Sequence, residues 1–373
     1  MLHIDLPTPA QIANLARFRG KPAVSISLRT TPISQEAKAG RIELNNLLKS
    51  AIEQIEGAQI DKRLVVAVEG LVATLRDDEA FWELQANSLV VFAAPDFMQT
   101  FRLPNHLINA VEVSDRFHLS PLIRAVTFPY EAFVLVIGIG AVRLVEITAN
   151  LPPRVVPVPG LPRDFNHAMG KRSHLKRPGD MASAADSSEN SLLSRYARRV
   201  DESLRPIFVG HDAPLILAAS EPMGSIFRNV STYPYMAASM IAGSADDTPD
   251  HALAAEARKI LGDIYADEIK AFRTKFAERA GSGRATVDVM QAARAATFGA
   301  VEVLMVDMDA DLSGRVDEDG GAVTFDERPD ALNYSVLDEI ARRALQSGAR
   351  VLAVRRADLP DGGEVAAILR YPV

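Results

Sequence analysis

The sequence predicts an α/β protein of several domains, and three observations carry that expectation. Phe133 to Ile147 reads FVLVIGIGAVRLVEI, two apolar runs around Gly138-Ile139-Gly140. This is the pattern of a β-hairpin at the centre of a larger sheet, with glycines able to take the positive φ of a tight turn. Helical apolar spacing at 35–55, 191–204 and 251–280 alternates with short apolar runs such as SLVVFA at 88–93 and LILAA at 215–219. The chain has 373 residues, enough for two or three domains.

In chain order, Thr8 is placed to cap a helix with Pro9 at its first position, turning Ile12, Leu15 and Ala16 inward. Ala23–Leu28 reads as a strand. Ile42, Leu44, Leu47, Leu48, Ala51, Ile52 and Ile55 form the apolar face of a helix. Leu64–Val68 fits either a strand or the start of a helix. Asp77, Asp78 and Glu79 precede Phe81, the single tryptophan Trp82, and Leu84; Trp82 reads as a partly buried packing residue. Strands follow at 88–93, 97–103 and 107–113.

Arg154–Pro157 extends the hairpin sheet, and the polar segment 162–190 leads to a helix with Leu192, Leu193, Tyr196, Val200 and Leu204 on one face. AGSADDTPD at 242–250 reads as a linker. Beyond it come a long helix to about Ala280, a short helix at 287–297, a strand at 301–306, a helix at 335–346 closed by Gly348, and strands at 350–354 and 365–369. That order fits a small α/β sandwich. The expected domains are 1–128, 129–246 and 247–373.

Composition narrows the function. There are no cysteines, which excludes disulfides, thiolate metal sites and a cysteine nucleophile. A net charge of −7 argues against nucleic-acid binding over the whole surface, leaving a local basic patch as the way to attract phosphate. The N-terminus has no basic region followed by an apolar run, and no apolar run approaches a membrane span. The expectation is a soluble cytoplasmic protein with no membrane partner and no cofactor.

One local concentration of positive charge exists. Lys171, Arg172, Lys176 and Arg177, with His174, sit in MGKRSHLKRPGD, and no carboxylate lies between Lys171 and Arg177. On an exposed loop such a cluster suits phosphate contacts. The plainer alternative is a solvated loop with no ligand. Arg195, Arg198 and Arg199 on the following helix extend the same patch.

Asp307, Asp309, Asp311 and Glu318 take the first, third, fifth and twelfth places of a calcium loop. The sixth place needs glycine and holds Leu312, and a strand precedes the loop, so a solvated acidic loop is expected and no metal site. His211 and Asp212 lie near Ser220, but no nucleophile elbow accompanies them, and no Gly-rich phosphate loop is present. No catalytic residue is assigned.

The hairpin FVLVIGIGAVRLVEI, PVPGLP at 157–162, LLSRYARRVDESL at 192–204, AATFGAVEVLMV at 295–306, GARVLAVRRADLP at 348–360 and AAILRY at 366–371 occur in an order that resembles the bacterial archaeo-eukaryotic release factor family. Its members are relatives of class-one translation release factors and of Pelota. The resemblance implies three domains, a ribonuclease H-like middle domain and a C-terminal α/β sandwich like kink-turn-binding ribosomal proteins.

It also implies a catalytic Gly-Gly-Gln tip on the loop that here spans 166–189. That tripeptide occurs nowhere in the chain, nor does the codon-reading Asn-Ile-Lys-Ser. At the Gly-x-Asn-Glu position used for kink-turns, residues 288–291 read Asp-Val-Met-Gln. The ribonuclease H-like middle domain also lacks the clustered carboxylates of a two-metal nuclease, since its first strand, Phe133–Ile137, has none and the next has only Glu146.

The expectation is a release-factor-like, non-hydrolytic factor associated with the ribosome or tRNA in translation or ribosome rescue. Its C-terminal domain is available for a protein partner. The alternatives are an enzyme of unassigned reaction class with an interdomain pocket, and a protein-interaction module unrelated to translation.

Overall fold

The computed structural model describes every residue except 1–2, 34–36, 128–130, 149–151, 171–184, 212, 244–245, 308, 311 and 328–329. The chain forms two compact units, one made of Met1–Phe128 with Ile269–Val373 and the other of Pro129–Glu268.

The first segment begins with α1 (Pro9–Arg17), closed by a capping box between Thr8 and Gln11. Strand β1 (Ala23–Arg29) is followed by α2 (Ala37–Gly57), α3 (Lys62–Asp77) and α4 (Glu79–Glu83). Strands β2 (Ser88–Ala94), β3 (Phe97–Leu103) and β4 (Ala110–Ser114) and helix α5 (Ser120–Thr127) complete it. The sheet is antiparallel, in the order β3-β2-β1-β4.

Leu89–Ala94 is apolar throughout because β2 is buried on both faces. Leu89, Val91 and Ala93 pack with α2 and α3, while Val90, Phe92 and Ala94 enter a second cluster on the other side. Leu64–Val68, ambiguous in sequence, is helical and turns Val65 and Val68 into the first cluster. Trp82 is fully buried rather than partly so, and its Nε1 donates to the Leu75 carbonyl at 3.0 Å. Ile42, expected on the inner face of α2, is exposed.

The second unit contains β5 (Glu131–Ile137), β6 (Val142–Thr148) and β7 (Arg154–Val156), then α6 (Phe165–Met169) and α7 (Ala185–Phe208). Strand β8 (Leu215–Ala219), helix α8 (Met223–Val230) and strand β9 (Met236–Ala242) follow. Helix α9 (Asp250–Ala280) then leads into the last segment.

The sheet order β7-β6-β5-β8-β9 places the unit's own strands as third, second, first, fourth and fifth. The β5–β6 and β6–β7 pairs are antiparallel, and the β5–β8 and β8–β9 pairs are parallel. This is the ribonuclease H-like order. Alternate residues of β5 serve opposite faces: Phe133, Leu135 and Ile137 meet α6, α7 and α8, and Ala132, Val134 and Val136 meet Leu253, Ala254 and Ala257 of α9.

The hairpin turn differs from expectation in one respect. Gly138 and Gly140 do not adopt positive φ. They are needed because the Asp246 carboxylate lies on the turn: a Cβ on Gly138 would come within 1.8 Å of Asp246 Oδ1, and the Gly140 N–H donates to Oδ2 at 3.0 Å.

The last segment holds β10 (Ala285–Thr286), α10 (Val289–Thr297) and β11 (Val301–Asp307). A small sheet of β12 (Ser313–Val316), β13 (Val323–Phe325) and β14 (Tyr334–Ser335) occupies the stretch read as an acidic loop. Helix α11 (Val336–Gln346), β15 (Arg350–Val354) and β16 (Val365–Leu369) follow, and the main sheet runs β10-β16-β11-β15.

First and last segments share one apolar cluster. Leu15, Phe92, Phe117, Leu122 and Ile123 pack in it with Leu304, Val336, Leu337, Ile340 and Ala344. Polar groups fasten the same contact. Asp338 accepts from the Leu119 N–H, the Ser120 N–H and the Ser120 hydroxyl, capping α5 from across the core. Beside it, the fully buried Glu339 binds Arg342, Arg343 Nε at 2.6 Å and Arg116 Nη1 at 2.8 Å. Burial opposes the charge on Glu339, but the Arg342 and Arg116 guanidiniums outweigh it and hold the carboxyl at about 2.

Replacing Glu339 with Gln leaves three arginines around a neutral group and is expected to cost about 3–5 kcal/mol in urea denaturation. Because the folded pKa lies below the ordinary 4.5, this stabilisation is complete above that pH and is lost as pH falls from about 4.5 toward 2. Denaturation of wild type and E339Q across that window should therefore converge. In the other unit, Gly138→Ala is expected to cost about 1–3 kcal/mol by steric crowding. The cost should be smaller in an Asp246→Ala background, as a double-mutant cycle will show.

Candidate nucleic-acid interface

Helix α7 has two unlike faces. Leu193, Tyr196, Ala197, Val200, Leu204 and Phe208 are buried against the sheet. Tyr196 also donates its hydroxyl to the Gly138 carbonyl at 2.8 Å, tying the helix to the hairpin turn. Burial, with the nearby Asp246 and Asp164 charges, raises the pKa of that phenol and keeps it a donor.

On the opposite face Arg195, Arg198 and Arg199 are exposed. Their spacing of three and four residues places them on one side of the helix. Arg199 Nη1 donates to the Ala168 carbonyl at 2.7 Å, in the last turn of α6. Among the described residues no carboxylate pairs with Arg195 or Arg198. Like charges at this spacing repel by a few tenths of a kcal/mol.

Helix α6 is short and sharply bounded. Asp164 caps it through the His167 N–H at 2.7 Å, and Gly170 ends it with φ at 81°. Arg163, Asn166 and His167 are exposed beside it. Lys171, Arg172, His174, Lys176 and Arg177 lie outside the described residues, as does Asp212. The chain enters that stretch at Gly170 and returns at the start of α7, which joins the predicted cluster in sequence to the arginine face.

The three middle-domain strings meet in this unit. FVLVIGIGAVRLVEI is β5, the turn and β6. PVPGLP carries Gly160, at φ 79°, whose carbonyl accepts from the Ser203 hydroxyl of α7 at 3.1 Å. LLSRYARRVDESL supplies both the buried face of α7 and its arginines. No periodicity in the sequence marks Arg199 as the group that closes α6; that role depends on where Ala168 lies.

The acids singled out elsewhere have structural roles. In the unit formed by the chain ends, a cavity of about 300 Å³ is lined by Ser25, Glu112, His118, Arg124, Asp307 and Asn333, among others. His118 Nδ1 lies 2.8 Å from Glu112 and 3.7 Å from Asp338. Burial works against the Glu112 charge, but His118 and the Ser335 N–H hold its pKa below the usual range. Burial and the Glu112 charge push Asp338 up. Asp338 is engaged as the α5 cap and Glu112 by His118 and Ser335, so these groups serve the fold. Asp307 and Asp309 of the acidic loop are described, and Met308 and Asp311 are not; among the described residues no group of three acids and histidines could hold a metal ion.

A ribonuclease H-like sheet and a helix with one basic face therefore make up the second unit of this α/β protein. Residues 129–267 match Bacterial archaeo-eukaryotic release factor family 11, in agreement with the resemblance read from the sequence strings.

Among solved structures, the archaeal translation termination factor aRF1 is 15% identical over 98% of this chain and 99% of its own, with a TM-score of 0.24. An archaeal Pelota from a ribosome-bound complex with ABCE1 is 16% identical over 74% of this chain and 72% of its own, with a TM-score of 0.40. Dom34 of S. cerevisiae, a translation termination-like factor, is 12% identical over 74% of both chains, with a TM-score of 0.37. All three scores lie below one-half, and the fold assignment stands on the sheet order itself. No curated protein matches the chain. Among the described residues no helix is long and apolar enough to cross a membrane.

Exchange of Arg195 and Arg198 for alanine should leave the melting temperature within a degree or two, since exposed unpaired charges contribute little to stability. RNA association, measured by filter binding over a salt series, should weaken. Its log–log salt slope should flatten by about 0.7–0.9 for each phosphate contact removed.

Proposed function

We propose that this protein is a non-hydrolytic factor of translation termination or ribosome rescue that associates with the ribosome or tRNA. The RNA-facing surface in this reading is the arginine face of α7 with the basic segment Lys171–Arg177. The observation that carries it is the exposed pair Arg195 and Arg198, without a carboxylate partner among the described residues, on a helix within the family-matched region.

Two features support the non-hydrolytic part. The chain lacks Gly-Gly-Gln, the element that positions a water in the resembled family, and no substitute is evident between residues 166 and 189. The basic segment replaces it at the corresponding position. With an overall charge of −7, RNA attraction has to come from local positive charge such as this surface, so association should be strongly salt-dependent. The relatives named as ribosome-bound or termination factors agree in kind with this reading.

The test is sedimentation of the intact protein with ribosomes at two salt concentrations, paired with release of labelled peptide from peptidyl-tRNA. Co-sedimentation at low salt, reduced at high salt, with peptide release no faster than buffer, is the expected result. Release above the buffer rate would refute the non-hydrolytic reading, and no co-sedimentation at low salt would refute the ribosomal one.

A further inference from the structure

The unit formed by the chain ends has a second concavity, about 460 Å³, where the C-terminal ends of α1, α10 and α11 meet. Its charged lining is Arg17, Arg19, Arg342, Arg343 and Glu318. Directly behind lie Arg116, Asp115 and Glu339. Five guanidiniums therefore face three carboxylates. The imbalance is built in, because Glu339 serves three arginines and Glu318 serves two of the same three, Arg116 at 3.2 Å and Arg343 at 3.3 Å.

The arginines divide by what they touch. Arg342 and Arg343 are buried and fully engaged. Arg342 holds Glu339 and the Ala16 carbonyl, and Arg343 holds Glu339, Thr297 Oγ1 and the carbonyls of Val316 and Asp317. Arg17 and Arg19 are exposed at the rim. Arg19 uses only Nη1, on the carbonyls of Phe18 at 2.7 Å and Ala16 at 3.4 Å. Its Nε and Nη2, and the whole Arg17 guanidinium, have no partner among the described residues.

Three helix C-termini would by themselves attract cations. That accounts for Arg342, whose Nη1 takes the Ala16 carbonyl at the end of α1, and it leaves the outer pair with donors to spare. Burial first, then the charges of Arg342 and Arg116, push the Arg19 pKa down, against the opposing charges of Glu339 and Glu318.

We propose that this pocket is an anion site for a phosphate group, received by the free donors of Arg19 and Arg17. The guanidinium fork matches the tetrahedral oxygens of phosphate, and a doubly charged phosphate balances an excess of two positive charges. The volume leaves room for what the phosphate is attached to, either a small phosphorylated molecule or a stretch of RNA backbone. The site is independent of α7 and of the ribosomal reading.

Calorimetric titration of the full chain with inorganic pyrophosphate tests it, followed by competition with single-stranded homopolymer RNA. Saturable pyrophosphate binding is expected, weakened at least tenfold in the Arg17→Ala/Arg19→Ala variant and unchanged in the Arg195→Ala/Arg198→Ala variant. Both substituted pairs are exposed, and circular dichroism confirms that each variant is folded. Competition by RNA that is lost with Arg17 and Arg19 assigns the phosphate to a nucleic-acid backbone. Pyrophosphate binding without such competition assigns it to a small molecule. Absence of saturable binding, or equal binding by the Arg17/Arg19 variant, overturns the site.

Discussion

The unit built from the two chain ends depends on one buried carboxylate. Glu339 is inaccessible to solvent and gathers Arg116 from the first segment with Arg342 and Arg343 from its own helix. A buried charge without partners is strongly unfavourable, so each of these groups is tolerable only when the others are in place. Arg116 adds a cation–π contact with Tyr334 at 4.0 Å, and Tyr334 accepts the Val316 N–H and so fixes the small sheet. Asp338, one residue earlier, caps α5. Adjacent acids on one helix thus specify which surface of the first segment meets the last, where apolar packing alone would be permissive about register.

The other unit is organised by a sheet covered on both faces. Its central strands contribute alternate residues to two separate clusters, which leaves little freedom in where α7 and the first part of α9 lie. With α7 held by Tyr196, Val200 and Leu204, its opposite face is presented outward at a fixed angle to α6. The exposed arginines are therefore positioned by core packing. A basic surface on a rigid element can make several phosphate contacts at once with little additional ordering, while the adjoining segment supplies further charge.

Function in this protein follows from what the release-factor-like frame retains. The sheet order of the family-matched region is ribonuclease H-like, Gly-Gly-Gln is absent from the sequence, and lysines and arginines stand at 171–177. In the proposed reading, RNA is bound by a chain that has no Gly-Gly-Gln to orient a water. The chain-end unit contributes positive charge of a different kind: an arginine cluster whose acids are outnumbered, at the opposite extreme from an acidic average composition.

Continuous apolar runs were legible because strands buried on both faces leave no place for polar residues. LILAA at Leu215–Ala219, Arg350–Val354 and Val365–Leu369 fall where the pattern put them. The capped helix at Thr8 was legible for a local reason, a side chain bonding to backbone three residues away. Local pattern failed where long-range contacts decide. Met236–Ala242 is an edge strand in which only Ala237 is buried, so no alternation marks it in the sequence. Strands β12 to β14 are held by pairing with one another and by Tyr334.

Asp338, Glu339, Arg342 and Arg343 look in sequence like the solvated face of α11, and they are buried because a second layer from the other end of the chain covers them. The basic character of α7 was written in the sequence; which of its arginines closes α6 was not. The sequence by itself determined the α/β class, most of the strands and the basic character of residues 171–199, since those depend on neighbours along the chain. The tertiary structure alone decided which charges are buried, which are paired and which remain free, because those depend on residues hundreds of positions apart.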